Sequence, residues 1–165
     1  MSKNFSKAPK KQAYLSSLPQ DCIATSDIHT RCKFNFSYFD TNQVGQNFID
    51  WNDVSGNSKL NKLMEKMKEF TRQPLSYWRN LKIGKGKQGG KGKRQHCLEV
   101  YGDFPNNSAF KHPAHVPDDV HWARFRMDCG TRLVGFILPE SEDQKNDTNT
   151  FYLVFLDENH QFYLT

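Results

Sequence analysis

HWARFRMDCGTRLVGFILPE (residues 121–140) and, after a polar loop, FYLVFLDENHQFY (residues 151–163) decide the fold of this 165-residue chain. Residues 120–128 alternate, with Trp122 and Phe125 set among Arg124 and Arg126. That period of two predicts a β-strand. Cys129 and Gly130 then supply a tight turn. Residues 131–139 follow as a strand apolar enough to be central. Residues 151–158 read as another apolar strand, and HQFYLT (160–165) is expected to finish the sheet.

Working backwards, CLEVYG (97–102) is a further strand, joined to the first by a loop bearing Pro and His. Ahead of it lies KIGKGKQGGKGKR (82–94), with five Gly, six Lys or Arg and hardly an apolar side chain. Glycine removes any helix or strand preference, so this segment reads as a mobile cationic loop. SKLNKLMEKMKEF (58–70) spaces Leu60, Leu63, Met64, Met67 and Phe70 at three- and four-residue steps, the apolar stripe of a helix with Ser58 as N-cap. Pro74 stops that helix and opens a short second one, PLSYWRNL (74–81). TRCKFNFSYFD (30–40) alternates Cys32, Phe34, Phe36 and Tyr38, which predicts a first strand with its aromatics on one face. Residues 1–29 lack periodicity and read as a flexible N-terminal tail, leaving 30–165 as a single domain. Helices and strands are segregated along the chain, so the class is α+β.

Composition narrows the function. Hydrophobic residues make up 36% of the chain and charged residues 25%, and the formal net charge is +5. The excess of cations favours a polyanionic partner. No apolar run is long enough for a membrane span or a signal-peptide core, so a cytoplasmic protein is expected. No two of Cys22, Cys32, Cys97 and Cys129 are spaced as C-x-x-C, and free thiols are expected, with Cys32 and Cys97 buried.

Three constellations carry possible chemistry. The first is Lys82, Lys85, Lys87, Lys91, Lys93 and Arg94 on their Gly-rich backbone, able to drape along phosphates. A solvated surface loop is the plainer reading, and no Ser or Thr follows these lysines to make a P-loop. The second is Arg124, Arg126 and Arg132. Two of them share a strand face, and the hairpin turn brings the third across from it, a candidate phosphate clamp. Arginines salt-bridged on an exposed face are the competing reading, with Asp118, Asp119 and Asp128 close in sequence. The third is histidine. His112 and His115 read as loop residues rather than metal ligands. His160 follows a strand end beside Phe162 and Tyr163, where it could serve as an acid or base. Glu99 and Asp103 lie close in sequence, which does not by itself make an acid–base pair.

The segment from His121 to Tyr163 resembles the C-terminal half of bacterial RelE-like toxins, of the RelE/ParE superfamily of toxin–antitoxin modules. The matching features are Trp122, Arg124 and Arg126 on one strand, Arg132-Leu133-Val134 on the next, an apolar strand at 151–156, and His160 with Tyr163 after it. The resemblance implies a strand, a helical hairpin and then an antiparallel β-meander. It implies metal-independent cleavage of mRNA, ribosome-dependent or free, by an mRNA interferase with no cofactor, held in check by an antitoxin protein. Carried over, Arg132 would clamp the phosphate with help from Arg124 or Arg126, His160 would be general acid or base, and Tyr163 would stack on a base of the RNA. No glutamate is assigned to the general base that some members use. The chain departs from typical members in its N-terminal tail, its Gly-Lys loop and the polar loop before its last strand. Two other readings use the same fold: a non-catalytic module binding nucleic acid or the ribosome, and a ParE-like inhibitor of DNA gyrase.

Overall fold

Residues 13–14, 16–17, 22–52, 58–84, 95–128, 130–141 and 145–164 are described by the computed structural model. Their elements run β1 (Lys33–Asn35), α1 (Lys59–Phe70), α2 (Leu75–Asn80), β2 (Lys82–Ile83), β3 (Gln95–His96), β4 (Leu98–Gly102), β5 (His121–Arg126), β6 (Arg132–Ile137) and β7 (Thr150–Asp157). Five strands form one sheet in the order β1-β7-β6-β5-β4, while β2 and β3 make a separate two-stranded ladder. The class is α+β. β4 to β7 pair antiparallel, and β1 adds to β7 in parallel. β6 is buried along its whole length at the middle of the sheet, as its apolar run predicts.

The alternation of each strand feeds two cores, one on each sheet face. On the helix side, Leu98, Phe125, Leu133 and Phe151 pack with Leu63 and Phe70 of α1 and Leu75 and Trp78 of α2. Phe70 stacks on Phe125 with ring centroids 4.4 Å apart. On the opposite side, Trp122, Val134, Phe136 and Phe155 pack with Phe110, Val116 and Val120 from the loop between β4 and β5, and with Phe162. Ser58 caps α1 by accepting from the Asn61 amide at 3.3 Å and donates to the Trp51 carbonyl. The Trp78 indole donates to the Phe70 carbonyl at 2.8 Å, tying α2 to the end of α1.

Some expectations are corrected. The first strand spans only Lys33–Asn35, because the Asn35 side chain accepts from the Ser37 amide and turns the chain out of the sheet. Its aromatics therefore do not share a face. Phe34 joins the helix-side core, Phe36 is exposed, and Tyr38 packs against Phe136 and Tyr152 on the other side. Met64 lies on the exposed side of α1 rather than in its buried stripe. Residues 160–164 add no strand. Instead their backbone pairs with the loop after β4, through Ala109 to Gln161 and Leu164 to Asn107. Cys32 and Cys97 are buried as expected, and burial pushes their thiols up to about 12 and about 11. Among the described residues no helix is long and apolar enough to cross a membrane.

One irregularity shapes the site. The β6–β7 register shifts between Val134 and Gly135, leaving one extra residue in β7. A side chain at Gly135 would run into the Tyr152 carbonyl oxygen, so the bulge needs glycine there. After the bulge β7 reverses its in–out alternation, and Asp157 comes to stand directly opposite Arg132.

Candidate anion-binding and acid–base site

The arginines lie on the loop-side face of the sheet, where the second core leaves a cleft open. Arg124 and Arg126 are two residues apart on β5, and Arg126 is the direct cross-strand partner of Arg132. All three are buried: Arg132 is only 2% exposed. The convergence expected from the hairpin is therefore present. A cleft of about 440 Å³ is lined by Gln95, Arg124, Arg126, Arg132, His160, Tyr163 and Leu164. All five residues named from the sequence as the catalytic set border this one space.

A residue not assigned from the sequence completes the cluster. Glu99 of β4 faces Arg124 across the β4–β5 ladder. Its carboxylate accepts from Arg124 Nε at 2.8 Å, Arg126 Nη2 at 2.6 Å and the Tyr101 hydroxyl at 2.9 Å. Burial pushes the Glu99 carboxyl up. The bond from Arg126, the charge and bond of Arg124 and the Tyr101 bond outweigh it, holding the group below the ordinary glutamate range. The same alternation that puts Arg124 and Arg126 on one face of β5 applies to β4, and it is the signal in the sequence that points to Glu99.

The aromatic side chains stack over this group. Tyr101 and Tyr163 have centroids 5.2 Å apart and an interplanar angle of 16°. The Arg124 guanidinium sits 5.4 Å from the Tyr101 ring centroid and 6.0 Å from that of Tyr163. Burial raises the Tyr101 hydroxyl well above its ordinary range, so it remains a donor to Glu99. Tyr163 keeps a partly exposed ring at the mouth of the cleft.

Charge balance defines what the cleft can hold. Among the described residues, one carboxylate, that of Glu99, bonds guanidinium groups of this buried set, and it reaches only Arg124 and Arg126. Among the described residues, Arg132 has no carboxylate partner and donates to the backbone carbonyls of Asp128 and Thr131. Burial, and then the charges of Arg126 and Arg124, lower Arg132 to about 10, which still leaves it a cation at neutral pH. Arg126 Nε and Arg132 Nε are buried without a partner among the described residues. Such donors are costly unless an acceptor arrives, and an anion with several oxygens is the acceptor this geometry suits.

His160 sits in the turn after β7 with φ 57°, a left-handed conformation that is uncommon outside glycine. A second groove of about 550 Å³ shares Gln95, Arg124, Arg126 and Tyr163 with the first and continues to Arg79 and His96. The His96 ring is oriented by a 2.6 Å bond between Nδ1 and the Arg79 carbonyl. The β2–β3 ladder pairs Lys82 with His96, one of the residues that line this groove. Lys82 is exposed there, while Lys85, Lys87, Lys91, Lys93 and Arg94 lie outside the described residues. His112 and His115 are apart from this site: the first packs against Phe104 and Trp122, the second stacks on Tyr38. No protein-family model, curated protein or solved structure matches this chain.

Proposed function

We propose that this protein is a metal-independent endoribonuclease that cleaves RNA by attack of a ribose 2′-oxygen on the adjacent phosphate. The observation that carries the reading is the convergence of three buried arginines and a histidine around one cleft, with a carboxylate, Glu99, that bonds two of those arginines and lines the adjoining groove. Glu99 takes the 2′ proton as the O2′–P bond forms. It is held ionised by its neighbours and still has an acceptor position in hand. Arg132, with Arg124 and Arg126, holds the extra negative charge of the phosphorane. As the P–O5′ bond breaks, the departing oxygen takes a proton from the His160 imidazolium. Tyr163 offers its exposed ring to a base of the RNA. The Gly-Lys segment follows the flanking phosphates. The products are a 2′,3′-cyclic phosphate and a free 5′-hydroxyl.

The resemblance to RelE-like toxins extends this to an mRNA interferase in the cytoplasm, acting on free mRNA because base, clamp and acid all come from this chain, and neutralised by an antitoxin chain. The test is induced expression in bacteria of wild type, Arg132→Ala and His160→Ala, followed by RNA integrity. Cleaved mRNA and growth arrest with wild type alone are expected. Growth arrest with intact RNA overturns the nuclease reading in favour of gyrase inhibition or non-catalytic binding.

A further inference from the structure

We propose that Asp157 is a positioning residue for His160, holding the turn that presents the imidazole to the leaving oxygen. The proposal rests on the endoribonuclease reading above. Asp157 ends β7 and is 1% exposed. It stands directly opposite Arg132, and a buried carboxylate opposite a buried arginine would ordinarily pair with it. Here no ion pair joins the two. The Asp157 carboxylate instead gathers backbone N–H groups of the following turn: Oδ1 accepts from Asn159 at 3.2 Å and Gln161 at 2.9 Å, and Oδ2 from Phe162 at 3.0 Å.

These bonds bracket His160 on both sides. The chain must curl around the carboxylate to deliver three amides to it, and the residue in the middle of the curl is left-handed. A histidine in that conformation is strained, and strain of this kind persists where the surroundings over-determine it. The surroundings do so here. Phe162 is fully buried beyond the turn, the Glu158 amide donates to the Gln46 side chain, and Lys59 pairs with Glu158. Among the described residues Arg132 is then left without an ion-pair partner, and its Nε has no acceptor. One residue thus holds the turn that carries the proton donor. The bulge at Gly135 is what brings Asp157 to this face.

If Asp157 acts through His160, its removal should matter only where the leaving oxygen needs a proton. Two substrates separate the cases. One is a dinucleoside monophosphate, whose 5′-alkoxide must be protonated. The other is the 4-nitrophenyl ester of a nucleoside 3′-phosphate, whose phenolate leaves unprotonated. Purified Asp157→Asn, His160→Ala and the double variant are compared with wild type. On the dinucleotide, His160→Ala should lower kcat by about a hundredfold and Asp157→Asn by at least about tenfold, with little change in KM. The double variant should be no slower than His160→Ala. On the nitrophenyl ester Asp157→Asn should stay within about threefold of wild type, which also shows that its site is folded. Should Asp157→Asn not fold, Asp157→Glu keeps the charge and displaces its acceptors, and carries the same comparison. Equal slowing of both substrates, or of neither, by the Asp157 variant overturns the proposal. A wild type that cleaves neither substrate overturns the nuclease reading and this role with it.

Discussion

Arg126 and Arg132 face each other directly across the β5–β6 ladder, both of them buried. Like charges opposed in this way destabilise a sheet, and burial adds a desolvation cost. Glu99 offsets part of this by bonding Arg126 and Arg124, and it makes no bond to Arg132. A fold that keeps such a pair at its centre carries a local instability that an anion would relieve.

The first prediction concerns anions alone. Inorganic phosphate or sulfate should raise the melting temperature of the wild type. Ligand at about a hundred times Kd stabilises by ~2.7 kcal/mol, or roughly 5–10 °C for a chain of this size. Arg132→Ala should show less than half that shift. Equal shifts in both proteins, measured by scanning calorimetry at fixed ionic strength, would place anion binding elsewhere.

Glu99→Gln separates catalysis from binding. It should reduce RNA cleavage by about 10²–10⁴-fold, the usual weight of a general base. It should also bind a 2′-deoxy oligonucleotide more tightly than wild type, because a competing carboxylate is gone. Weaker binding would mean that Glu99 serves only to hold the arginines in place.

The same residue sets a pH dependence. The folded Glu99 carboxyl lies below its ordinary value, so its contribution to stability is complete above the unfolded value, about 4.3. That contribution is lost as pH falls through the folded value. The melting-temperature gap between wild type and Glu99→Gln should therefore be widest near neutrality and shrink below about pH 4. A gap that stays constant down to about pH 2 would contradict the ion-pair account.

The groove that runs on to Arg79 and His96 predicts a preference for longer RNA. A trinucleotide should have a lower KM than a dinucleotide, and Arg79→Ala should erase most of that advantage. The Gly-Lys segment is tested by salt. Changing Lys82, Lys85, Lys87, Lys91 and Lys93 to Gln should make log K against log salt shallower by about 0.7 for each phosphate no longer neutralised. An unchanged slope would return the segment to solvated surface.

Much of the arrangement is legible in the sequence, and the misses have physical causes. The period of two around Trp122 and Arg132 specifies the central hairpin and the convergence of its arginines. Leu63 and Phe70 at helical spacing mark the buried face of α1. Glu99 is easy to pass over because its nearest carboxylate in sequence, Asp103, lies past the strand end, whereas its partners Arg124 and Arg126 are reached through strand pairing. Asp157 is illegible because a bulge reverses its face, and one-residue insertions leave no trace in a hydrophobic pattern. Phe36 departs from its expected face because one Asn35 side-chain bond ends a strand that alternation alone would extend.

The central claim is tested most directly by one cleavage reaction. Purified protein is mixed with an end-labelled oligoribonucleotide in EDTA, and the product ends are identified by mass. The account predicts a 2′,3′-cyclic phosphate and a 5′-hydroxyl, formed by wild type and lost with a 2′-deoxy sugar at the cut. Uncut RNA, or a cut that survives the 2′-deoxy substitution, would contradict it.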